Sequence, residues 1–391
     1  MLTGLSPRDH GIVANGWYWR DTNEVRFWIP SNQLMSGERI WEAHQGTTAV
    51  LFWRFNMATG ASVSIAERPA YPADGRKIPD LYTQPPELAK TLQARHGQFP
   101  LFHFWGPTSS IESTRWIADA SMDVDADLKL IYLPHLDYDL QRYGPNDPRI
   151  PEAVAALDRE AGRIIDHAKG AKVLAVSEYH IEDVTGPVML NRALREAGLL
   201  EVIDNPVGEL LDFWRSTAFA VCDHQLAHVY TTDPDRARAV IEKLDGVDRI
   251  LDKAECGLDH ARSGELVVLA AKGRWFAYPY WLDDARAPDF ARTVDIHRKP
   301  GYDPCELFFD PKVSKLGLAG KLAKKTMGFR TIFDVVPLDP SMVGGSHGRL
   351  PDDPEDGPIL LGAEDDRPRD MSEVRATILR ALQAPGEAPG T

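Results

Sequence analysis

The chain has 391 residues, of which 43% are hydrophobic and 26% are charged. This composition is typical of a globular protein large enough for one big domain with insertions or for two domains. A formal net charge of −14 argues against nucleic-acid duplexes as partners, although it is compatible with a small phosphorylated substrate held through a metal ion.

The cysteines and the apolar runs of the sequence indicate the cellular compartment of the protein. Cys222, Cys256 and Cys305 show no metal-binding spacing, so we interpret them as unpaired core or surface residues in a reducing compartment. The sequence has no apolar run long enough to span a bilayer and no secretory signal pattern. These features predict a cytoplasmic protein; they do not predict its oligomeric state.

A strand–helix–strand unit is predicted in the middle of the chain. Residues 127–133 form a short apolar run typical of a strand. Residues 152–169 repeat apolar side chains at three- and four-residue steps and stop at Gly170, which predicts a helix. Residues 172–176 then predict a second strand. Such a βαβ unit implies a parallel sheet covered by helices.

Acidic clusters follow both predicted strands. Residues 135–139 contain Asp137, and residues 177–180 contain Glu178. Because ligand groups in parallel sheets gather beyond the carboxyl ends of the strands, we expect these two carboxylates to share a site.

The remainder of the chain divides into segments of different pattern. A short helix is predicted over 191–197, and an α+β insertion of about 216–277 is expected to serve as a lid or a structural cover. Residues 278–307 are predicted to form a long ordered loop, and the basic stretch 312–330 to place Lys321, Lys324 and Lys325 on a solvated helix face. The tail, 385–391, is expected to be flexible. Within the insertion the patterns predict a strand (219–230), a helix (233–244), a strand near Arg249 and a strand (265–271). Residues 1–384 are predicted to form one domain.

Residues 3–15, Thr-Gly-Leu-Ser-Pro-Arg-Asp-His-Gly-Ile-Val-Ala-Asn, carry a family resemblance. They resemble a segment of the nucleotide pyrophosphatases/phosphodiesterases, also called type I phosphodiesterases, in the alkaline phosphatase superfamily. The resemblance implies an α/β fold with a central, mostly parallel sheet flanked by helices. In that family a first strand with a metal-binding Asp precedes this segment, and a Thr or Ser nucleophile lies nine positions before the residue that matches Thr3. We therefore expect both to lie upstream of Met1, so that the chain is truncated relative to the family.

The resemblance also implies metal ligands at five positions. The family's Asp with a His four positions later matches Asp137 and Gln141, its adjacent Asp-His pair matches Glu178 and Tyr179, and its late His matches His347. Gln141 and Tyr179 depart from the family pattern. The family implies Zn²⁺, but an amide oxygen suits Mg²⁺, Mn²⁺ or Ca²⁺ better, and a Tyr binds metal well only as phenolate. The site is thus predicted to hold Zn²⁺, a harder cation, a single metal or none.

Asn15 is the predicted catalytic residue, since the family's matching Asn donates its side-chain amide to a nonbridging phosphate oxygen. His10, in the same segment, is interpreted as structural.

Several other groups are candidate site residues. His135 and His180 could supply a missing nitrogen ligand or could be ordinary loop histidines. Asp223–His224 looks like a ligand pair but lies in a strand pattern, and Asp259–His260 is interpreted as packing. Residues 295–302 could hold a substrate phosphate or stack on a base. Trp17, Tyr18 and Trp19 could stack on a leaving group or pack in the core.

The functional hypothesis is a metal-dependent hydrolase of phosphodiester or pyrophosphate bonds in a small phosphorylated metabolite or nucleotide. It would act through a phospho-enzyme. One alternative is a catalytically inactive relative that binds a phosphorylated ligand. Another, in the same superfamily, is a phosphomonoesterase, sulfatase or phosphonate hydrolase.

Overall fold

The computed structural model describes residues 1–73, 76–363, 366 and 368–383, without the side chains of Lys315 and Lys325. The predicted tail, 385–391, lies outside these residues. Strands, in chain order, are β1 Gly16–Trp19, β2 Glu24–Phe27, β3 Thr48–Leu51, β4 Val63–Glu67, β5 Leu81–Gln84, β6 Leu128–Ile131, β7 Ala175–Val176, β8 Glu182–Asp183, β9 Gly186–Val188, β10 Val202–Asn205, β11 Gly208–Leu211, β12 Ala218–Asp223, β13 Leu226–Thr231, β14 Val247–Asp252, β15 Leu266–Ala270, β16 Arg274–Phe276, β17 Gly345–Ser346 and β18 Leu360–Leu361. Helices are α1 Pro7–His10, α2 Ile40–Ala43, α3 Leu88–His96, α4 Leu101–Phe104, α5 Ile111–Met122, α6 His135–Tyr143, α7 Ile150–His167, α8 Leu190–Glu196, α9 Pro234–Ile241, α10 Lys315–Thr326 and α11 Val374–Gln383.

One four-stranded sheet is mostly parallel. Its strand order is β5-β4-β3-β6; β3 runs parallel to β4 and β6, and β5 is antiparallel to β4. All four residues of β3 are buried, as expected for a strand covered on both faces. This arrangement confirms the predicted α/β class.

Helices cover both faces of this sheet. On one face, Phe52 and Ile65 pack with α5 through Trp116 and Ile117. On the other, β6 packs with α2, and the apolar side of α11 lies against the same cluster. Helix α7 packs beside α5 and α6, and its observed span agrees with the predicted 152–169 to within two residues at each end.

The predicted βαβ pairing is corrected by the structure. Strand β6 occupies the edge of its sheet, and β7, which follows α7, pairs antiparallel with β18 instead. The apolar run 172–176 is therefore largely irregular, and its two strand residues find their partner almost two hundred positions later in the chain.

A second four-stranded sheet, entirely antiparallel, has the order β12-β13-β15-β14. The single strand predicted over 219–230 is two strands joined by a tight turn at His224. Helix α9 is shorter than the predicted 233–244, and it begins where the Asp233 carboxylate accepts a hydrogen bond from the Arg236 N–H. Together with α8, β1 and β2, this sheet encloses the largest apolar core.

The remaining predictions about loops and thiols are confirmed. Residues 278–307 contain only short 3₁₀ turns, at Asp284–Arg286, Asp289–Arg292 and Pro304–Leu307. The three cysteines are unpaired, with Cys222 and Cys305 buried. Within the described ranges, no helix combines the length and apolar character needed to cross a membrane.

Candidate active site

Helix α6 presents the first two predicted site residues. It begins directly after β6 and Pro134, so its first turn lies at the carboxyl end of the parallel sheet. Asp137 and Gln141 are four residues apart and therefore share one helix face. The Gln141 Nε2 donates a hydrogen bond of 2.8 Å to the Asp137 Oδ2. Burial raises the pKa of Asp137, and this hydrogen bond opposes the shift.

Two tyrosines extend the hydrogen-bond network around Asp137. The Tyr179 hydroxyl donates to the Asp137 Oδ1 at 2.8 Å. The Tyr302 hydroxyl donates to the Gln141 Oε1 at 2.8 Å. Burial holds the pKa of Tyr179 well above its usual value, so its phenol keeps the proton that it donates. Both oxygens of Asp137 are thus occupied by donors from the protein.

His347 lies against this network. Its ring stacks on Tyr179, with centroids 3.7 Å apart, and touches the His224 ring at the same distance. Burial lowers the pKa of His347 to about 3, so its imidazole is neutral at physiological pH.

Close backbone packing fixes the position of His347 relative to α6. The Gly344 N–H donates to the Gln141 carbonyl at 3.0 Å. A Cβ on Gly345 would lie 2.1 Å from the Leu140 carbonyl oxygen, so only glycine allows this approach. The glycine pair before His347 therefore lets β17 lie directly on the helix that carries Asp137.

Asn15 is held in place by Asp223. The Asn15 backbone N–H donates to the Asp223 Oδ2 at 2.8 Å, and its side-chain Nδ2 donates to the Oδ1 at 3.1 Å. Burial raises the pKa of Asp223 to about 6, with both hydrogen bonds opposing the shift. This clamp leaves the second N–H of the Asn15 amide for another acceptor.

The Asp223–His224 pair, which the sequence places within a strand pattern, also lies in this region. His224 occupies the turn between β12 and β13 with φ +61°, and its ring stacks on Tyr302 with centroids 3.9 Å apart. The sequence feature that could have indicated a site here is an adjacent Asp and His at the end of a buried apolar strand.

Glu178 does not join the network through a hydrogen bond. It is exposed to a large channel, which the side chains of Asn15, Asp137, Tyr179 and His347 also line. The channel has a volume of about 3450 Å³ and extends past the site along β6 and α11. The structure thus brings four of the five predicted metal-ligand positions and Asn15 to one channel. The fifth, Gln141, lies outside the channel wall and donates a hydrogen bond to Asp137.

The residues present do not fit the predicted divalent metal. In the described part of the chain, no three His, Cys, Asp or Glu side chains are grouped closely enough to hold an ion. Gln141 and Tyr179 act as hydrogen-bond donors to Asp137, whereas a cation would need lone pairs from these positions.

The two neighbouring histidines differ in placement. His180 lines the channel, and its charged form would disfavour protonation of His347. His135 is buried, lies outside the channel wall, and its Nδ1 has no hydrogen-bond partner among the described residues.

Structural contacts account for several of the other candidate residues. Trp17, Tyr18 and Trp19 lie on β1 and pack into the large core, away from the channel. His10 accepts a hydrogen bond from the Ile12 N–H. The imidazole of His260 lies close against Gly11, and the Asp259 carboxylate lies 4.0 Å from the Lys253 ammonium.

The loop 295–302 contributes Tyr302 to the site, and its two cations, Lys299 and Arg298, are placed differently. Lys299 is fully buried, and its Nζ lies 2.7 Å from Asp303 and 2.8 Å from Glu306. Arg298 pairs with Asp289 at 3.2 Å. The Lys299 ammonium is thus enclosed by carboxylates. That residues 295–302 hold a substrate phosphate or stack on a base stays a prediction, and Arg298 is the cation of this stretch that lines the channel.

Arg54 is a channel residue that the sequence analysis missed. It follows β3, and its guanidinium lies 4.4 Å from the centre of the Trp28 ring. A lone Arg within the aromatic run Phe-Trp-Arg-Phe carries no motif, so only the three-dimensional contacts reveal it.

Comparison with known proteins identifies the family. Residues 1–303 match the family model of type I phosphodiesterase / nucleotide pyrophosphatase. This match covers more than half of the chain, so the chain belongs to that family of hydrolases. None of the curated proteins matches it.

Similar solved structures were also found, all at low identity. Phosphonoacetate hydrolase from Sinorhizobium meliloti 1021, in complex with phosphonoformate, is 15% identical over 71% of this chain and 69% of that chain, with a TM-score of 0.48. Murine ectonucleotide pyrophosphatase / phosphodiesterase 5 is 14% identical over 73% and 68%, with a TM-score of 0.44. The human form is 15% identical over 72% and 68%, with a TM-score of 0.43. Family membership accordingly rests on the sequence match.

Proposed function

We propose that the chain hydrolyses phosphodiester or pyrophosphate bonds in a small phosphorylated metabolite or nucleotide. The observation that carries the proposal is the convergence of Asn15, Asp137 and His347 on one channel, from segments more than a hundred residues apart. Their shared position supports a site in which a bound phosphoryl group contacts polar side chains on several sides.

Each residue has a role set by its contacts. Asn15, oriented by Asp223, donates its remaining amide N–H to a nonbridging phosphoryl oxygen. His347 is a neutral imidazole that offers one ring nitrogen to the channel as donor or acceptor. The Thr or Ser nucleophile and a phospho-enzyme remain predictions from the family resemblance.

Metal dependence, on Zn²⁺ in particular, also remains a prediction from the family resemblance. The test is hydrolysis of bis-p-nitrophenyl phosphate and p-nitrophenyl phosphate in Zn²⁺, in Mn²⁺ and in EDTA. We expect turnover of the diester by the protein extended upstream of Met1 to include the predicted Thr or Ser nucleophile, and its loss when His347→Ala is made in that protein. His96→Ala is the matched control, since His96 pairs with Asp123 on the surface, outside the channel.

A specific observation favours a second candidate, a relative that binds a phosphorylated ligand without turnover. Gln141 and Tyr179 stand where the family resemblance implies metal ligands, and both donate hydrogen bonds to Asp137. Absence of hydrolysis under every metal condition, combined with retained phosphate binding, would establish this second function and reject the first. Faster turnover of the monoester than of the diester would instead indicate a phosphomonoesterase.

A further inference from the structure

The guanidinium of Arg54 lies in the channel, where it has no hydrogen-bond partner among the residues that the structure describes. Among the described residues, its one ion pair within 4 Å is to Glu67, at 3.8 Å between Nη1 and Oε1, which is too long for a hydrogen bond. Its side chain is 40% exposed, and it lines the channel that also contains Asn15, Asp137 and His347. Its N–H groups are thus available to a ligand.

Other cations of the channel wall are placed differently. Arg298 pairs with Asp289 at 3.2 Å and with Asp295 at 3.6 Å. Arg68 is exposed and lies near the Met57 sulfur at 3.9 Å. Arg54 differs from both in following a central strand, β3, and its guanidinium lies 4.4 Å from the centre of the Trp28 ring, whereas Arg298 lies 5.4 Å from that of Phe290.

The backbone that carries Arg54 is strained and firmly held. Phe52 and Phe55 have φ of +57° and +58°, a left-handed conformation that costs a non-glycine residue on the order of 1 kcal/mol. The Phe52 N–H donates to the Ile65 carbonyl at 2.7 Å, and the Asn32 amide donates to the Phe55 carbonyl at 3.1 Å. Strain that is maintained by surrounding contacts in this way is typical of residues fixed for a function.

Trp28 connects Arg54 to the predicted catalytic Asn15. Its ring lies under the guanidinium, and its backbone N–H donates to the Asn15 carbonyl at 3.1 Å. A guanidinium stacked on an aromatic ring keeps its planar edge free, and that edge presents parallel N–H donors matched to two phosphoryl oxygens.

We propose that Arg54 binds the nonbridging oxygens of the substrate's phosphoryl group and supplies positive charge where the described residues do not fit a metal ion. This inference rests on the proposed function for the class of its ligand. It assigns the side chain of Arg54 as a substrate-binding group in the channel that Asn15 also lines.

The test is isothermal titration of inorganic phosphate into the full chain in the presence of EDTA. We expect Arg54→Met to bind phosphate about 10- to 100-fold more weakly than wild type, the range for loss of charge-assisted hydrogen bonds. Arg54→Lys should fall between the two, because an ammonium keeps the charge but not the planar pair of donors. Arg68→Met, which removes a charge of the same sign from the same channel, should stay close to wild type.

A second variant separates binding from misfolding. Glu67→Gln removes the carboxylate that competes for the guanidinium, so we expect it to tighten phosphate binding a few-fold, an effect opposite in sign to a folding defect. The inference is overturned if wild type does not bind phosphate at millimolar concentration, if Arg54→Met binds like wild type, if Arg68→Met weakens binding equally, or if Glu67→Gln weakens it.

The outcomes distinguish this inference from the proposed function. Arg54-dependent phosphate binding without hydrolysis of any ester rejects the proposed activity and retains the binding role. Hydrolysis together with phosphate binding that does not change in Arg54→Met retains the proposed activity and rejects the binding role of Arg54.

Discussion

Replacing Lys299 by methionine should remove a large part of the protein's stability. The Lys299 ammonium is 1% exposed and pairs with Asp303 at 2.7 Å and with Glu306, which is fully buried, at 2.8 Å. The Trp105 indole N–H donates to the other oxygen of Glu306 at 2.6 Å. Methionine fills a similar volume but leaves two carboxylates without a counter-charge. Breaking a buried ion pair in this way costs about 3–5 kcal/mol, a substantial share of the roughly 5–15 kcal/mol that stabilises a typical protein.

The loss should depend on pH. Burial raises the pKa of Glu306 above its usual value of 4.5, and Lys299 opposes that shift. Without Lys299 the pKa of Glu306 in the folded state rises further, so the folded protein holds a proton that the unfolded chain releases. The stability of Lys299→Met therefore falls as pH rises from the unfolded value through the folded pKa. The deficit relative to wild type should be largest at neutral pH and smaller near pH 4.5.

The assay is urea unfolding followed by tryptophan fluorescence at both pH values. Lys321→Met is the control, since Lys321 forms a partly exposed ion pair with Asp334 at 2.6 Å and its loss should cost about 1 kcal/mol or less. A loss in Lys299→Met no greater than in this control, or one that grows toward acid, would refute the reasoning.

Two further substitutions test how the site is assembled. Gly345→Ala should lower the free energy of unfolding by on the order of 1–3 kcal/mol, because its Cβ would lie 2.1 Å from the Leu140 oxygen. In thermal melts it should contrast with Gly320→Ala, whose Cβ meets nothing within 4 Å and which should be neutral or stabilising; equal melting temperatures would contradict this. Tyr302→Phe should cost about 1–3 kcal/mol in urea unfolding, because it leaves the buried Gln141 Oε1 without its donor, and an unchanged midpoint would show that the hydrogen bond contributes nothing.

Local patterns in the sequence predicted individual elements better than their pairing. The three- and four-residue periodicity of α7 predicted its bounds closely, because an amphipathic helix is specified by its own residues. The run 172–176 is apolar enough for a strand, but its partner is β18, which no local pattern indicates. The turn at His224 was missed because the sequence Asp-His-Gln contains no glycine or proline to mark it.

Motifs likewise indicated some site residues and not others. The family motifs led to Asn15, Asp137 and His347, which share the channel. They could not show that Gln141 and Tyr179 direct their hydrogens toward Asp137, since the direction of a hydrogen bond depends on the partner's position in space. Arg54 could not be predicted either, because it belongs to no motif and only its contacts in space indicate a role.

The interlocked contacts around Asp137 limit how this site can change during evolution. A histidine at position 141 would deprive the Tyr302 hydroxyl of its acceptor, while the Tyr179 hydroxyl would still cover the far side of the carboxylate. A histidine at position 179 alone would leave the amide of Gln141 in place. Each of these single substitutions thus removes a buried contact and leaves one hydrogen bond to the carboxylate of Asp137 in place. Several positions would have to change together before both of its oxygens lost the donors that they have now.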